Sequence, residues 1–100
     1  MVKHVILWTL DEKKTDAEKE EIKKNMKREL EGLVGKVPGL KEMQINIHPL
    51  ASSNADVMLD SLLESEEALK GYATHPAHVA VADTYVRPFT ASRTCMDYEV

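Results

Sequence analysis

With a single cysteine, Cys95, among one hundred residues, the chain cannot form an internal disulfide. No tight Cys/His cluster is visible along the sequence, so redox and structural-zinc roles are not expected. Long apolar runs are missing as well: Val5 to Leu10, interrupted by Thr9, is far short of the ~20 residues of a membrane span. The first residues carry neither the apolar core nor the small-residue cleavage site of a secretory signal, and a cytoplasmic protein is expected. Glycine and proline are scarce at four each, and a hydrophobic fraction of 43% is too high for disorder, so one folding unit is expected. An excess of positive charge is absent too. Thirteen bases stand against seventeen acids, and the charge-dense stretch from Asp11 to Glu31 mixes both signs as a solvated face does. Nucleic acid and anionic membrane are therefore not expected partners. Glycine-rich phosphate loops and Gly-x-Ser-x-Gly elbows do not occur.

What is present is a clear alternation of patterns. Val2 to Leu10 is β-branched and aromatic, apolar at odd and even positions, as in a strand buried on both faces. Thr15-Asp-Ala-Glu18 is a capping-box pattern, and Ile22, Met26, Leu30, Leu33, Val34 and Val37 recur at helical spacing, which predicts an amphipathic helix from about Asp16 to Val34. Gly35, Pro38 and Gly39 end it. Leu40 to Ile47 and Asp56 to Leu63 alternate as strands, joined by a turn over Pro49 to Asn54. Ser65-Glu-Glu caps a short helix through Tyr72, His75-Pro76 interrupts it, and Pro76 starts a further helical segment that Pro88 breaks. Ser92 to Val100 closes the chain as a strand.

The order βαββαβ predicts an α+β fold of the ferredoxin-like kind, a four-stranded antiparallel sheet with its helices on one face. The other sheet face then needs a cover for the apolar groups of the first and third strands. A second copy of the same sheet is the simplest one, so a homodimer is expected. Met58 and Leu62 share that face with Asp56 and Asp60, whose carboxylates must find donors or lie at the rim.

Val2-Lys-His-Val, Val37-Pro-Gly-Leu40 and above all Tyr72-Ala-Thr-His-Pro-Ala-His-Val79, with Asp83 downstream, make the whole chain resemble the Dabb family, the stress-responsive dimeric α/β-barrel domain. The resemblance implies two ferredoxin-like subunits joined sheet to sheet into a barrel. It also implies similarity to the family's plant polyketide cyclase, with His78 as general base and Tyr72 as the orienting or oxyanion-stabilising partner of a cofactor-free aldol-type reaction. Ile22, Met26 and Val57 stand where that cyclase carries aromatic or histidine pocket residues, and Leu59 shares the face of Val57. The carbonyls of Glu31, Val34 and Val37, at the end of the first helix, match a place where plant relatives resemble cation binders.

The residues themselves leave two readings open. A neutral imidazole next to a phenol suits proton removal beside a carbonyl, with the positive end of a helix dipole keeping His78 neutral. Equally, a Tyr and a His at a helix break can hydrogen-bond the interrupted backbone. His4 shares a strand face with Ile6 and Trp8, and it joins His78 in one cavity if that face lies under the helices; otherwise it is a core histidine bonded to a carbonyl. Trp8 and Phe89 suit a planar ligand or the core. His75 and His78, three residues apart with Asp83 nearby, superficially suit a metal, but Pro76 between them breaks the helical spacing, and no side-chain metal site is expected. Asp83 and Asp97 read as structural acceptors and Cys95 as an inert small residue. The functional expectation is an apolar pocket for a small hydrophobic or aromatic carbonyl ligand, with cyclase- or lyase-type chemistry. The alternative is a non-catalytic stress-responsive structural or binding protein.

Overall fold

The computed structural model describes all residues from Met1 to Val100. Strands β1 (Val2–Leu10), β2 (Leu40–Asn46), β3 (Val57–Leu63) and β4 (Thr90–Glu99) form one sheet in the order β2-β3-β1-β4, antiparallel throughout. Helices α1 (Asp16–Glu31), α2 (Glu66–Thr74) and α3 (Pro76–Val81) are followed by a π-helical turn, Ala82–Val86, and a 3-10 turn, Arg87–Phe89. No helix is long and apolar enough to cross a membrane.

The capping box forms as its sequence dictates: Glu18 N–H donates to Thr15 Oγ1 (3.2 Å) and Thr15 N–H to Glu18 Oε1 (3.0 Å). The helix ends at Glu31, three residues before the predicted end, with Gly32 as its cap. Val34, expected on the apolar stripe, is 42% exposed as a result. Gly35 and Gly39 adopt positive φ and turn the chain into β2. In β2 the register shifts between Leu40 and Glu42. This bulge places Leu40 on the same buried side as Met43 and Ile45, where strict alternation would have opposed them. As an edge strand β2 leaves backbone groups unpaired, and α1 covers one pair of them: Lys27 Nζ donates to Ile45 O (2.8 Å) and Ile45 N–H to Glu31 Oε2 (3.0 Å).

Side chains alternate cleanly across β1 and β3. Val2, His4, Ile6, Trp8 and Leu10, with Val57, Leu59, Ser61 and Leu63, are buried beneath the helices, against Ile22, Met26, Leu30 and Tyr72. The opposite sheet face is more open than a doubly buried strand requires: Leu7 is 39% exposed, Tyr98 41% and Met96 65%. The two acids expected at that face do find donors. Lys3 Nζ donates to Asp60 Oδ1 (2.7 Å), and Leu10 N–H to Asp56 Oδ2 (2.8 Å).

Candidate functional site

The site begins with a missing hydrogen. Pro76 has no N–H, so the Tyr72 carbonyl, which residue 76 would serve in a continuous helix, accepts instead from His75 N–H at 3.2 Å. His75 then caps α3, its Nδ1 accepting from Ala77 N–H at 3.1 Å. That diversion frees the Ala73 carbonyl, Ala77's partner in an unbroken helix, and the His78 ring takes it through Nδ1 at 3.2 Å. A carbonyl only accepts, so Nδ1 carries the proton and Nε2 keeps its lone pair. The break thereby draws the rings of Tyr72 and His78 together, with centroids 4.2 Å apart.

His4 comes from β1 beneath them, its ring edge-on to Tyr72 at 5.9 Å between centroids. Its Nδ1 is hydrogen-bonded to the carboxylate of Asp97 on β4, the residue directly opposite it in the β1–β4 register. Ser61 Oγ donates to the His4 carbonyl (2.8 Å). His4 is thus not bonded through its ring to a backbone carbonyl, as the core reading would have it.

Tyr72, His78 and His4 line one cavity of about 280 Å³, with Ile6, Trp8 and Leu59 among its apolar walls. Four residues assigned to the pocket from the sequence lie elsewhere. Ile22, Met26 and Val57 pack into the hydrophobic core without lining the cavity. Phe89 packs against that core from its edge, with Lys14 Nζ 5.8 Å above its ring. Conversely, Ala82 and Val86 from the π-helical turn line the cavity, as do Arg87 and Arg93. Arg93 stands opposite Trp8 in the register, so pairing β4 with β1 would have put it on the cavity face.

Electrostatics divide the two central groups. The Tyr72 side chain is buried and its Oη has no hydrogen-bond partner. Burial pushes the phenol well above its ordinary range, so it stays protonated. Burial also lowers the His78 pKa, aided by the positive charges of Arg87 and Arg93, while the bond to Ala73 opposes the shift. At neutral pH the cavity therefore holds a neutral imidazole beside a phenol with an unused proton.

The metal expectations resolve residue by residue. His75 is occupied as a helix cap and Asp83 pairs with Arg87, so these two do not converge with His78. At the end of α1, the Glu31 carbonyl accepts from Val34 N–H (3.4 Å) and that of Val37 from Leu40 N–H (3.3 Å). One grouping arises in space that the linear sequence does not show. Antiparallel pairing of β1 and β4 brings His4, Cys95 and Asp97 together, one donor atom of each within 4.8 Å of the others.

The model of one family, the stress responsive A/B barrel domain (Dabb), matches residues 2–100. Among solved structures, a dimeric ferredoxin-like protein of unknown function from Bacteroides fragilis is 28% identical, with a TM-score of 0.92 over 99% of this chain and 95% of that one. A dimeric ferredoxin-like protein from Thermobifida fusca, also of unknown function, is 22% identical, with a TM-score of 0.82 over 99% and 90%. The hydroxynitrile lyase of Passiflora edulis shares the fold at 13% identity, TM-score 0.70, over 97% and 90%. None of the curated protein sequences matches.

Proposed function

The chain belongs to the stress-responsive A/B barrel (Dabb) family, and on that premise we propose that its cavity takes a small, mainly apolar carbonyl compound and moves a proton on it. The observation that carries this reading is the buried, unpartnered Oη of Tyr72 against the neutral ring of His78. A buried donor without an acceptor is costly, and a bound carbonyl oxygen would satisfy it.

In this reaction His78 Nε2 takes a proton from the carbon next to the carbonyl. The electron pair of that C–H bond becomes the C=C of an enolate, whose oxygen accepts the Tyr72 hydrogen bond. If a second carbonyl of the same molecule lies within reach, the enolate carbon bonds to it, and its oxygen receives the proton from His78. The Asp97 carboxylate holds the His4 ring in place against Tyr72. Arg93, which forms no ion pair with a carboxylate, stands at the cavity wall where an anionic group of the ligand would be held. A hydroxynitrile lyase is built on the same fold, which supports an enzymatic use of it.

The second reading is a non-catalytic binding or structural role. The His78 bond to Ala73 favours it, because that contact satisfies the interrupted backbone whether or not a ligand binds. Deuterium exchange into the α-carbon of a small 1,3-dicarbonyl compound, followed by NMR, separates the two. Exchange accelerated by the wild-type protein supports catalysis, and binding without acceleration supports the second reading.

The working form is a homodimer joined through the sheet face that carries Leu7, Met96 and Tyr98. Its support is the exposure of these side chains and the dimeric state of the related structures.

A further inference from the structure

We propose that His4, Cys95 and Asp97 form a three-ligand zinc site at the β1–β4 edge. The site goes beyond the proton-transfer reading and does not depend on it.

The argument starts from register. His4 lies opposite Asp97 and Ile6 opposite Cys95, so Cys95 and Asp97, two apart on β4, project to the same side as His4. Cys95 Sγ is 3.8 Å from His4 Nδ1 and 3.5 Å from Asp97 Oδ1. A tetrahedral zinc with Zn–S of about 2.3 Å and Zn–N or Zn–O of about 2.0 Å sets its sulfur about 3.5 Å from each of the other two donors. The sulfur is therefore already at ligand-to-ligand spacing.

The donor set selects the metal. Thiolate and imidazole together favour zinc over magnesium or calcium, which take oxygen ligands. Three protein ligands also match zinc sites that keep a fourth position for water or substrate. Here that position faces the cleft between α2 and β4, lined by Glu66, Lys70 and Arg93 as well as the three ligands. The surroundings hold the imidazole as a ligand needs to be held: Tyr72 packs edge-on against the ring, and Ser61 Oγ fixes the His4 backbone. On coordination the Cys95 thiol proton leaves to the buffer. Asp97 exchanges its bond to His4 Nδ1 for one to the metal, and the neutral ring changes tautomer, its proton leaving Nδ1 for solvent as Nε2 takes one up.

The test is titration of the metal-stripped full chain with Co²⁺, read by absorption. Expected are one equivalent per chain, a near-ultraviolet thiolate-to-cobalt band, and the intense visible bands of a four-coordinate ion; zinc displaces all of them. Cys95→Ser removes the thiolate band. Asp97→Asn weakens binding by at least about tenfold, the lower end of what loss of an outer-shell partner alone costs. Both side chains are exposed, so these variants keep the fold, which far-ultraviolet circular dichroism checks. No binding, cobalt bound without the thiolate band through exposed groups such as His48, or a band that survives in Cys95→Ser would each overturn the site. The titration reads no turnover, and the deuterium-exchange assay is run with chelator, so failure of either proposal leaves the other standing.

Discussion

Tyr72 and His78 face one another at 4.2 Å because Pro76 interrupts the helix between them, yet only one of the two is tied to the backbone. His78 serves the freed Ala73 carbonyl through Nδ1, while the Tyr72 hydroxyl is buried without a partner. A structural tyrosine would have its hydroxyl bonded; this one has a donor to spare, as the proposed carbonyl ligand requires.

Tyr72→Phe is therefore expected not to destabilise the fold. Removing a hydroxyl that makes no bond relieves its desolvation cost, so stability should stay within about 1 kcal/mol or rise. Urea unfolding measures it, and a loss of more than about 2 kcal/mol would show that the hydroxyl is bonded.

The acid side of any activity should reflect His78. Its pKa is lowered from 6.5 in the folded protein, so the base stays unprotonated to lower pH and the acid limb of the rate profile falls at a midpoint below 6.5. Stability follows the same sign. The unfolded chain binds this proton first, so the wild type loses stability as pH falls below 6.5, until the folded protein is protonated too. His78→Gln should lose less over that range in urea titrations at stepped pH.

Gly35 and Gly39 should differ on substitution by alanine. Both have positive φ, 90° and 82°, but a Cβ at Gly35 meets open space while one at Gly39 lies 2.6 Å from Ala68 Cβ. Gly35→Ala should cost about 1 kcal/mol for the backbone alone, and Gly39→Ala clearly more. Equal losses in urea unfolding would contradict the packing of α2 against this turn.

Leu7→Asp should dissociate the dimer. It sets a charge on the open sheet face, and a stable interface of more than about 1,000 Å² cannot bury it unpaired. Sedimentation should show a dimer for the wild type and a monomer for the variant. A wild-type monomer at micromolar concentration would remove this interface.

Much of the fold could be read from local patterns because periodicity reports local geometry. The capping box at Thr15, the alternation of β3 and the break at Pro76 each carry their own signal in a few residues. The parity of Leu40 did not, since a bulge shifts it by one residue and depends on the partner strand. The site divided along the same line. Tyr72 and His78 sit within one short segment, whereas Arg93, Cys95 and Asp97 reach the site only through pairing with β1, and β4, exposed along almost its whole length, shows no alternation to announce it. The resemblance places Ile22, Met26 and Val57 in the pocket, and here they fill the core instead.

The most direct test of the central claim is the rate of α-proton exchange of a 1,3-dicarbonyl compound with Tyr72→Phe, compared with wild type under the same chelator-treated conditions. The account predicts wild-type acceleration and a fall of at least about a hundredfold in the variant, as for loss of a single donor to an oxyanion. Exchange by Tyr72→Phe at the wild-type rate would contradict it.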